Sequence, residues 1–446
     1  LTAGDKAEAV QPPNLLFIFA DDQPQSCLGF SGNQTIQTPN LDGLAARGIY
    51  FDNAFVTTAI CCSNRASILL GQYMRRHGIE DFQKPLSAEA MSASYPVVLR
   101  EHGYRTGFLG KFAIGRPDPE IEHLSLPKDR FDYWYGFPQS INFLQEEADG
   151  PHFLTTRMEE EAVKFLEGQP SDQPFCLTVA LKEPHGPTNY FDPTVPDPYT
   201  QTTIPPPVTF TRADFESLPD FLKSSLNASS AEERLNMPEQ LLKQTRTFYR
   251  MISRADLAVG RLLDALKQRG LDKNTVIIYS SDHGSMLGAH GLTGKWLMYE
   301  ESIRVPMIVY DPRLPASLQG RRIEEMVLTI DIAPTLLELA GVPTPAVMQG
   351  HSLKRLLDGS ASDWRSDWYY EHTYTSPPVH PIPKSEGVRS ADWKYVRYTE
   401  FNPPYEQLFD LKNDALEQHD LAHDANFASR LQELRLRCDH YRDGLR

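Results

Sequence analysis

Two thiols, Cys61 and Cys62, stand just ahead of Arg65 in the stretch Thr58-Ala59-Ile60-Cys61-Cys62-Ser63-Asn64-Arg65-Ala66-Ser67-Ile68-Leu69-Leu70-Gly71, which reads as the start of a short helix. A helix N-terminus offers unpaired N–H groups and partial positive charge, which favours an anionic nucleophile or an anionic substrate there. Three further groups follow directly on strand-like apolar runs: Asp21 with Asp22, His185, and Asp282 with His283. In open α/β sheets the carboxyl ends of strands are where ligands bind, because the strands give way to loops at that edge. Two adjacent carboxylates plus a third from a distant strand are hard oxygen donors for a divalent cation such as calcium or magnesium, and an imidazole could complete the shell. Each segment alone reads more readily as a capped loop or a small core thiol. Their joint placement is what points to a metal and to chemistry.

The elements that must position these groups follow from hydrophobic patterning. Leu15-Leu16-Phe17-Ile18-Phe19-Ala20 is a continuous apolar run, as expected of a strand covered on both faces. Residues 106–109, 175–181, 275–280 and 306–310 read as further strands, and 50–55 as one leading into the cysteine stretch. Helices are expected at 39–47, 96–102, 156–166 and 331–340, alternating with the strands. That alternation predicts an α/β fold: a large mixed, mainly parallel sheet flanked by helices. Asn236-Met237-Pro238-Glu239 reads as a capping-box start for a long helix to about Arg269, with Leu241, Phe248, Ile252, Ala255, Val259, Leu262 and Leu266 as its buried stripe. The proline- and aromatic-rich stretch from Gly186 to about Ser225 is expected to form a rim over the active edge. Beyond about Leu357 aromatic-rich short runs between turn residues suggest a small antiparallel sheet, with a closing helix at 428–441. The expected organisation is a catalytic unit at 12–357 and a C-terminal subdomain at 358–446.

Composition narrows the function classes. Apolar content of 40% and charged content of 23% are those of an ordinary globular chain, and no run approaches the roughly 18 apolar residues that could span a bilayer. A formal charge of -15 disfavours general affinity for nucleic acid, so an anionic substrate needs a local basic pocket. Five cysteines argue against a disulfide framework and allow at most one or two bridges. Asn33-Gln34-Thr35 and Asn227-Ala228-Ser229 fit a glycosylation acceptor pattern that often arises by chance. The chain opens on Leu1, and a processed form acting in the periplasm or outside the cell is expected.

Taken in order, Asp21-Asp22, the cysteine segment, Gly110-Lys111, Pro184-His185, Ser281-Asp282-His283-Gly284, Gly294-Lys295, and Glu386-Gly387-Val388-Arg389 with Lys394-Tyr395 resemble a type I sulfatase of the alkaline phosphatase superfamily over nearly the whole chain. The resemblance implies that a formylglycine-generating maturation enzyme oxidises Cys61, the cysteine four residues before Arg65, to formylglycine. The hydrated aldehyde would attack sulfur, form a covalent sulfate ester and expel sulfate with its remaining hydroxyl, which a simple serine cannot do. It further implies one calcium ion, magnesium being less expected, held by Asp21, Asp22, Asp282 and His283. Lys111 and Lys295 would neutralise the sulfate oxygens, Arg65 would orient the nucleophile, and His185 would protonate the leaving oxygen. The chain departs from the family pattern at Phe112-Ala113, where Trp-His is common, with His77 a candidate substitute. It also departs at Ser63, where Pro or Ala is usual, and at Leu70, where Thr usually precedes the glycine.

The implied partner is a sulfated carbohydrate, a poly- or oligosaccharide, and His372, His380, Lys384 and Arg389 are candidates to line its sugar pocket. Two alternatives use the same residues: a phosphonate or phosphodiester hydrolase, since a tetrahedral phosphoryl anion suits the same lysines and metal, and a non-catalytic binder of sulfated glycans.

Overall fold

Every residue of β1 (Asn14–Asp21) is buried, and its side chains divide by parity. Leu15, Phe17 and Phe19 enter one apolar cluster, and Leu16, Ile18 and Ala20 enter the other. A strand covered on both faces needs no polar alternation, which is why the run is apolar throughout. The computed structural model describes residues 11–116, 126–139, 141–147, 150–186, 192, 195–379 and 381–445.

Around β1 the main sheet is built from β2 (Ile49–Phe51), β3 (Arg105–Lys111), β4 (Tyr133–Phe137), β5 (Phe175–Pro184), β6 (Thr275–Ser281), β7 (Ile308–Tyr310) and β8 (Arg321–Ile323). Their order is β8-β2-β7-β6-β1-β5-β3-β4. Among these eight, β7 is antiparallel to both neighbours, while the other pairings are parallel. The sheet is therefore mixed and mainly parallel. The expected strand at 50–55 breaks at Asp52-Asn53 into β2 and the two-residue strand Ala54–Phe55.

One face is covered by the helices Pro39–Arg47, Leu154–Glu167 and Pro238–Gln268, the last with the whole predicted stripe buried. The other face is covered by the helices Cys61–Leu70, Tyr95–Glu101 and Ile332–Leu339 together with the C-terminal sheet. The capping box expected at Asn236 does not form. Asn236 ends a separate short helix, Ala231–Asn236, and its side-chain oxygen accepts from Arg212 at 3.0 Å. The long helix starts instead on Pro238, whose missing N–H costs nothing at a first helical position. Among the described residues of the stretch after Gly186 are the short helices Arg212–Glu216 and Asp220–Lys223. All five cysteines are buried and free, so the one or two bridges allowed by their number are absent.

The C-terminal sheet is an antiparallel meander of β9 (Asp367–His372), β10 (Ser385–Ser390), β11 (Trp393–Tyr398) and β12 (Tyr405–Asp410), closed by the helix Ala428–Gly444. Trp368, fully buried, stacks on Phe55 with centroids 5.1 Å apart, and the Glu371 N–H donates to the Thr57 carbonyl at 3.1 Å. Burying such an aromatic side chain is worth about 2–3 kcal/mol. β9 is thus fastened to the segment that delivers Cys61.

Register aligns the chemistry. Ala20 pairs with Ser281, Asp21 with Pro184, and Gly110 with Ala180, so β3, β5, β1 and β6 all end at one edge. Gly110 lies at φ +97, and a Cβ there would meet the Ala180 carbonyl oxygen at 2.0 Å, so only glycine lets the strand reach Lys111 in this register.

Candidate active site

Cys61 is the first residue of its helix and follows extended Ile60, so the thiol lies at the helix N-terminus under the strand ends. Its Sγ is 3.2 Å from Lys295 Nζ, 3.2 Å from His283 Nε2, 3.6 Å from Asp21 Oδ1 and 3.7 Å from Lys111 Nζ. Arg65, one turn on and 2% exposed, donates from Nε to Asp282 Oδ2 at 2.9 Å and from Nη1 to the Lys111 carbonyl, with Nη2 3.5 Å from Asp21. Its guanidinium lies over the Phe19 ring at 4.8 Å. Lys111 pairs with Asp21, and Lys295 with Asp22 at 2.6 Å. Asn64 joins the helix to the edge that carries Asp282, donating to the Asp282 carbonyl while its oxygen accepts from Thr329 at 3.0 Å. No spacing rule singles out Asn64, since its partners lie on distant segments.

Three carboxylates (Asp21, Asp22, Asp282) face three cations (Arg65, Lys111, Lys295) in a site where all but the partly exposed Asp22 are buried. Burial opposes the charge on Asp21, yet Lys111, His185, Arg65 and Lys295 hold its carboxyl well below the usual carboxylate range. Asp22 is lowered against burial chiefly by Lys295. The same pairs raise Lys111 and Lys295 above the ordinary lysine value despite burial. His283 is pushed down by burial, which favours the neutral imidazole that a metal requires. Burial pushes the Cys61 thiol up to about 12 although both lysines oppose it. An unmodified thiol here is protonated at neutral pH and is a poor nucleophile.

Asp21, Asp22, Cys61 and His283 each present a ligand atom within 4.8 Å of the others. Asp282 stands beside them with Oδ1 3.4 Å from His283 Nε2, but its oxygens are engaged by Arg65 and by the Asp22 N–H at 3.2 Å. Asp21 and Asp22, each paired with a lysine, with Asp282 behind them and a neutral imidazole beside them, are donors of the kind that suit a hard divalent cation.

His185, half-buried just past β5, is near enough to the two aspartates to act on their titration; burial lowers its own pKa while Asp21 and Asp22 raise it. The proposed sugar-contacting residues are placed differently. His77 accepts from the Ile79 N–H at 3.1 Å through Nδ1, so Nε2 donates to Ser67 Oγ at 2.9 Å, and burial pushes it down to about 3. It is a neutral brace on the Cys61 helix. His372 is fully buried, pushed down to about 3 by burial, with neither ring nitrogen partnered among the described residues. Arg389, 6% exposed, lies over Phe55 at 4.6 Å and pairs with Glu300 at 3.3 Å, an internal role. His372 and Arg389 are turned inward by the C-terminal sheet, while His77 lies partly buried on the short helix Met74–His77. Lys384 is half-buried, and His380 lies outside the described residues. Phe112 packs edge-on against Phe108 and Trp134.

A family model described as Sulfatase matches residues 13–342, and one described as N-sulphoglucosamine sulphohydrolase, C-terminal, matches 288–443. An N-acetylglucosamine-6-O-sulfatase of Bacteroides thetaiotaomicron is 27% identical over 97% of this chain and 86% of the relative. An arylsulfatase of Clostridium perfringens is 27% identical over 95% and 93%, and an ulvan-active sulfatase of Formosa agariphila 26% identical over 97% and 83%. The same fold occurs in a protein solved in complex with its substrate D-glucosamine-2-N,6-O-disulfate, with TM-score 0.81 at 24% identity over 98% of both chains. It occurs also in a phosphonate monoester hydrolase of Agrobacterium radiobacter, with TM-score 0.82 at 24% identity over 97% and 96%.

Proposed function

This chain belongs to the sulfatase family, as a type I sulfatase of the alkaline phosphatase superfamily and a sulfuric ester hydrolase, and from that premise we propose that it removes sulfate from a sulfated poly- or oligosaccharide with formylglycine at position 61 and one bound calcium ion. The observation that carries this reading is the seat of Cys61: a helix N-terminus, two lysine ammoniums within 3.7 Å of Sγ, and a thiol that burial keeps protonated. A site built for a thiolate would lower that pKa. A hydrated aldehyde at residue 61 would supply one oxygen to attack sulfur and a second to release sulfate, and a cation, which Asp21, Asp22, Asp282 and His283 would hold, would polarise the sulfate.

The chain's own residues do the rest. Lys111 and Lys295 meet the sulfate oxygens and supply, with Arg65, the local positive charge an anionic substrate needs in a chain of formal charge -15. Arg65 orients residue 61 and holds Asp282 in place. His185 lends its proton to the departing sugar oxygen. Sulfated-carbohydrate relatives support the substrate class. Of the sugar-contacting candidates Lys384 stays in the proposal. Residues 12–357 are read as the catalytic unit and 358–446 as its C-terminal subdomain, working in the periplasm or outside the cell. Among the described residues no helix is long and apolar enough to cross a membrane.

The test is sulfate release from a panel of sulfated oligosaccharides and an aryl sulfate, with a phosphodiester assayed in parallel and the intact mass of the native protein measured. Release from sulfated sugars by protein carrying the aldehyde supports the reading. Preferential phosphodiester cleavage, or an unmodified thiol with no desulfation of any sugar, overturns it.

A further inference from the structure

Lys295 follows a loop that backbone hydrogen bonds close on itself from Met286 to Gly294, and none of those bonds reaches Lys295. Between 287 and 296 the backbone turns left-handed at Leu287, Gly288, His290, Gly291, Gly294 and Trp296, with φ between +47 and +98. Three of these are not glycine, and such residues persist in that region only where surrounding contacts enforce it. Yet Lys295 Nζ must stay 2.6 Å from Asp22 and 3.2 Å from Cys61 Sγ.

Beyond its internal bonds, side chains outside the loop hold the segment that carries Lys295. Asn227, fully buried in the short turn Leu226–Ala228, donates from Nδ2 to the Thr293 carbonyl at 2.8 Å and to the Lys295 carbonyl at 2.7 Å. Its own carbonyl accepts from the Thr293 N–H at 2.9 Å. One amide thus brackets Gly294-Lys295 on both sides, and two carbonyl acceptors fix which end of the amide faces the loop. Arg234 on the same segment donates to the Gly291 carbonyl at 3.2 Å. From the opposite side Tyr370 of β9, fully buried, donates its hydroxyl to the Trp296 carbonyl at 2.5 Å and accepts from the Ala59 N–H at 3.4 Å. Tyr370 therefore joins the Lys295 loop to the segment that carries Cys61.

We propose that Asn227 and Tyr370 are positioning residues that clamp the Lys295 loop from two sides and set the distance between the lysine ammonium and residue 61. This rests on the reading of Lys295 as a sulfate-binding residue. It also removes Asn227 from consideration as a glycosylation acceptor, since its amide is buried and used.

The test combines a readout that needs no turnover with one that does. Acylation of Lys295 by an amine-reactive ester, mapped by peptide mass, is expected to rise several-fold in Asn227→Ala and Tyr370→Phe. Fully buried Lys394 stays protected in any folded variant and reports global unfolding. In kinetics on an aryl sulfate, Asn227→Ala is expected to lower kcat/KM about 100-fold, the scale of an ångström-sized misplacement. Tyr370→Phe, which keeps the ring, is expected to lower it about 5-fold, the worth of one hydrogen bond. Neither change should lower it further once Lys295→Ala is present. Lys295 acylation unchanged in both folded variants, or losses that multiply with Lys295→Ala, would overturn the clamp. If Asn227→Ala does not fold, Tyr370→Phe decides by the same criteria. A wild type that releases no sulfate fails the functional reading, and the acylation result still decides the clamp.

Discussion

Arg65→Met tests how far the site's charge balance is shared between the chain and a cation. The replacement keeps an unbranched apolar stem against Phe19 and removes the guanidinium. Asp282 Oδ2 then loses its 2.9 Å partner, Asp21 its 3.5 Å neighbour, and the Lys111 carbonyl its donor. At 2.9 Å and an effective dielectric of about 20, the lost attraction is about 6 kcal/mol before solvation is counted. Removing one partner of a buried pair costs about 3–5 kcal/mol in practice, because the other is left buried and uncompensated. In chelator the variant is therefore expected to unfold with about 3–5 kcal/mol less stability than wild type in urea titrations. The site now holds three carboxylates against two cations, so a divalent cation meets a more negative cage and binds the variant more tightly than it binds wild type. Calcium at one hundred times its dissociation constant adds about 2.7 kcal/mol, so calcium should return a larger share of stability to the variant than wild type gains at equal concentration. Activity should stay lost in both conditions, since calcium cannot orient residue 61. A variant within about 1 kcal/mol of wild type in chelator, well below the expected loss, would refute the charge-balance argument. So would an equal gain from calcium in both proteins.

His185→Ala is expected to slow sugar sulfates by roughly 100-fold or more while sparing an aryl sulfate with a good leaving group, as loss of a general acid should. Wild type should lose rate on sugar sulfates as pH rises through the His185 titration, because the acid form is the active one, and the variant should lose that limb; equal losses on both substrates would argue against the role. Cys61→Ala is expected to abolish sulfate release, and the wild-type mass spectrum to show residue 61 in its lighter aldehyde form. Partial burial opposes the charge on Glu300, yet Arg389, Lys394 and Arg304 hold its carboxyl well below the usual range. A depressed folded-state pKa stabilises above the unfolded value, about 4.3, and that stability is lost as pH falls through the folded value. Urea midpoints should thus fall steeply on acidification in wild type and less steeply in Glu300→Gln, which should cost about 3 kcal/mol at neutral pH.

Much of the frame was legible in the chain. A strand buried on both faces is apolar without alternation, so β1, β5 and β6 stand out, and the residue after each such run falls at the sheet edge where Asp21, His185 and Asp282 lie. The long helix was legible from its stripe, but its start was not: Asn236 looked like a cap, and Pro238 began the helix without one. The sugar-contacting candidates were read from residue type, and type does not say which way an antiparallel sheet turns. β9 and β10 carry His372 and Arg389 inward, where Glu300 and burial claim them.

What the sequence determined by itself was the local part: which runs must be buried, which residues end them, and that Cys61 stands four residues before Arg65. Those depend on periodicity and spacing, which act between neighbours. Only the tertiary structure decided that Cys61 Sγ lies between Lys111 and Lys295, that Asp282 turns to Arg65, and that Asn227 and Tyr370 brace the Lys295 loop. Asn227 is 68 residues from Lys295, and Tyr370 is 74 from Trp296. Strand order and sheet register bring such distant groups together, and they reflect the packing of the whole core rather than any one stretch of chain.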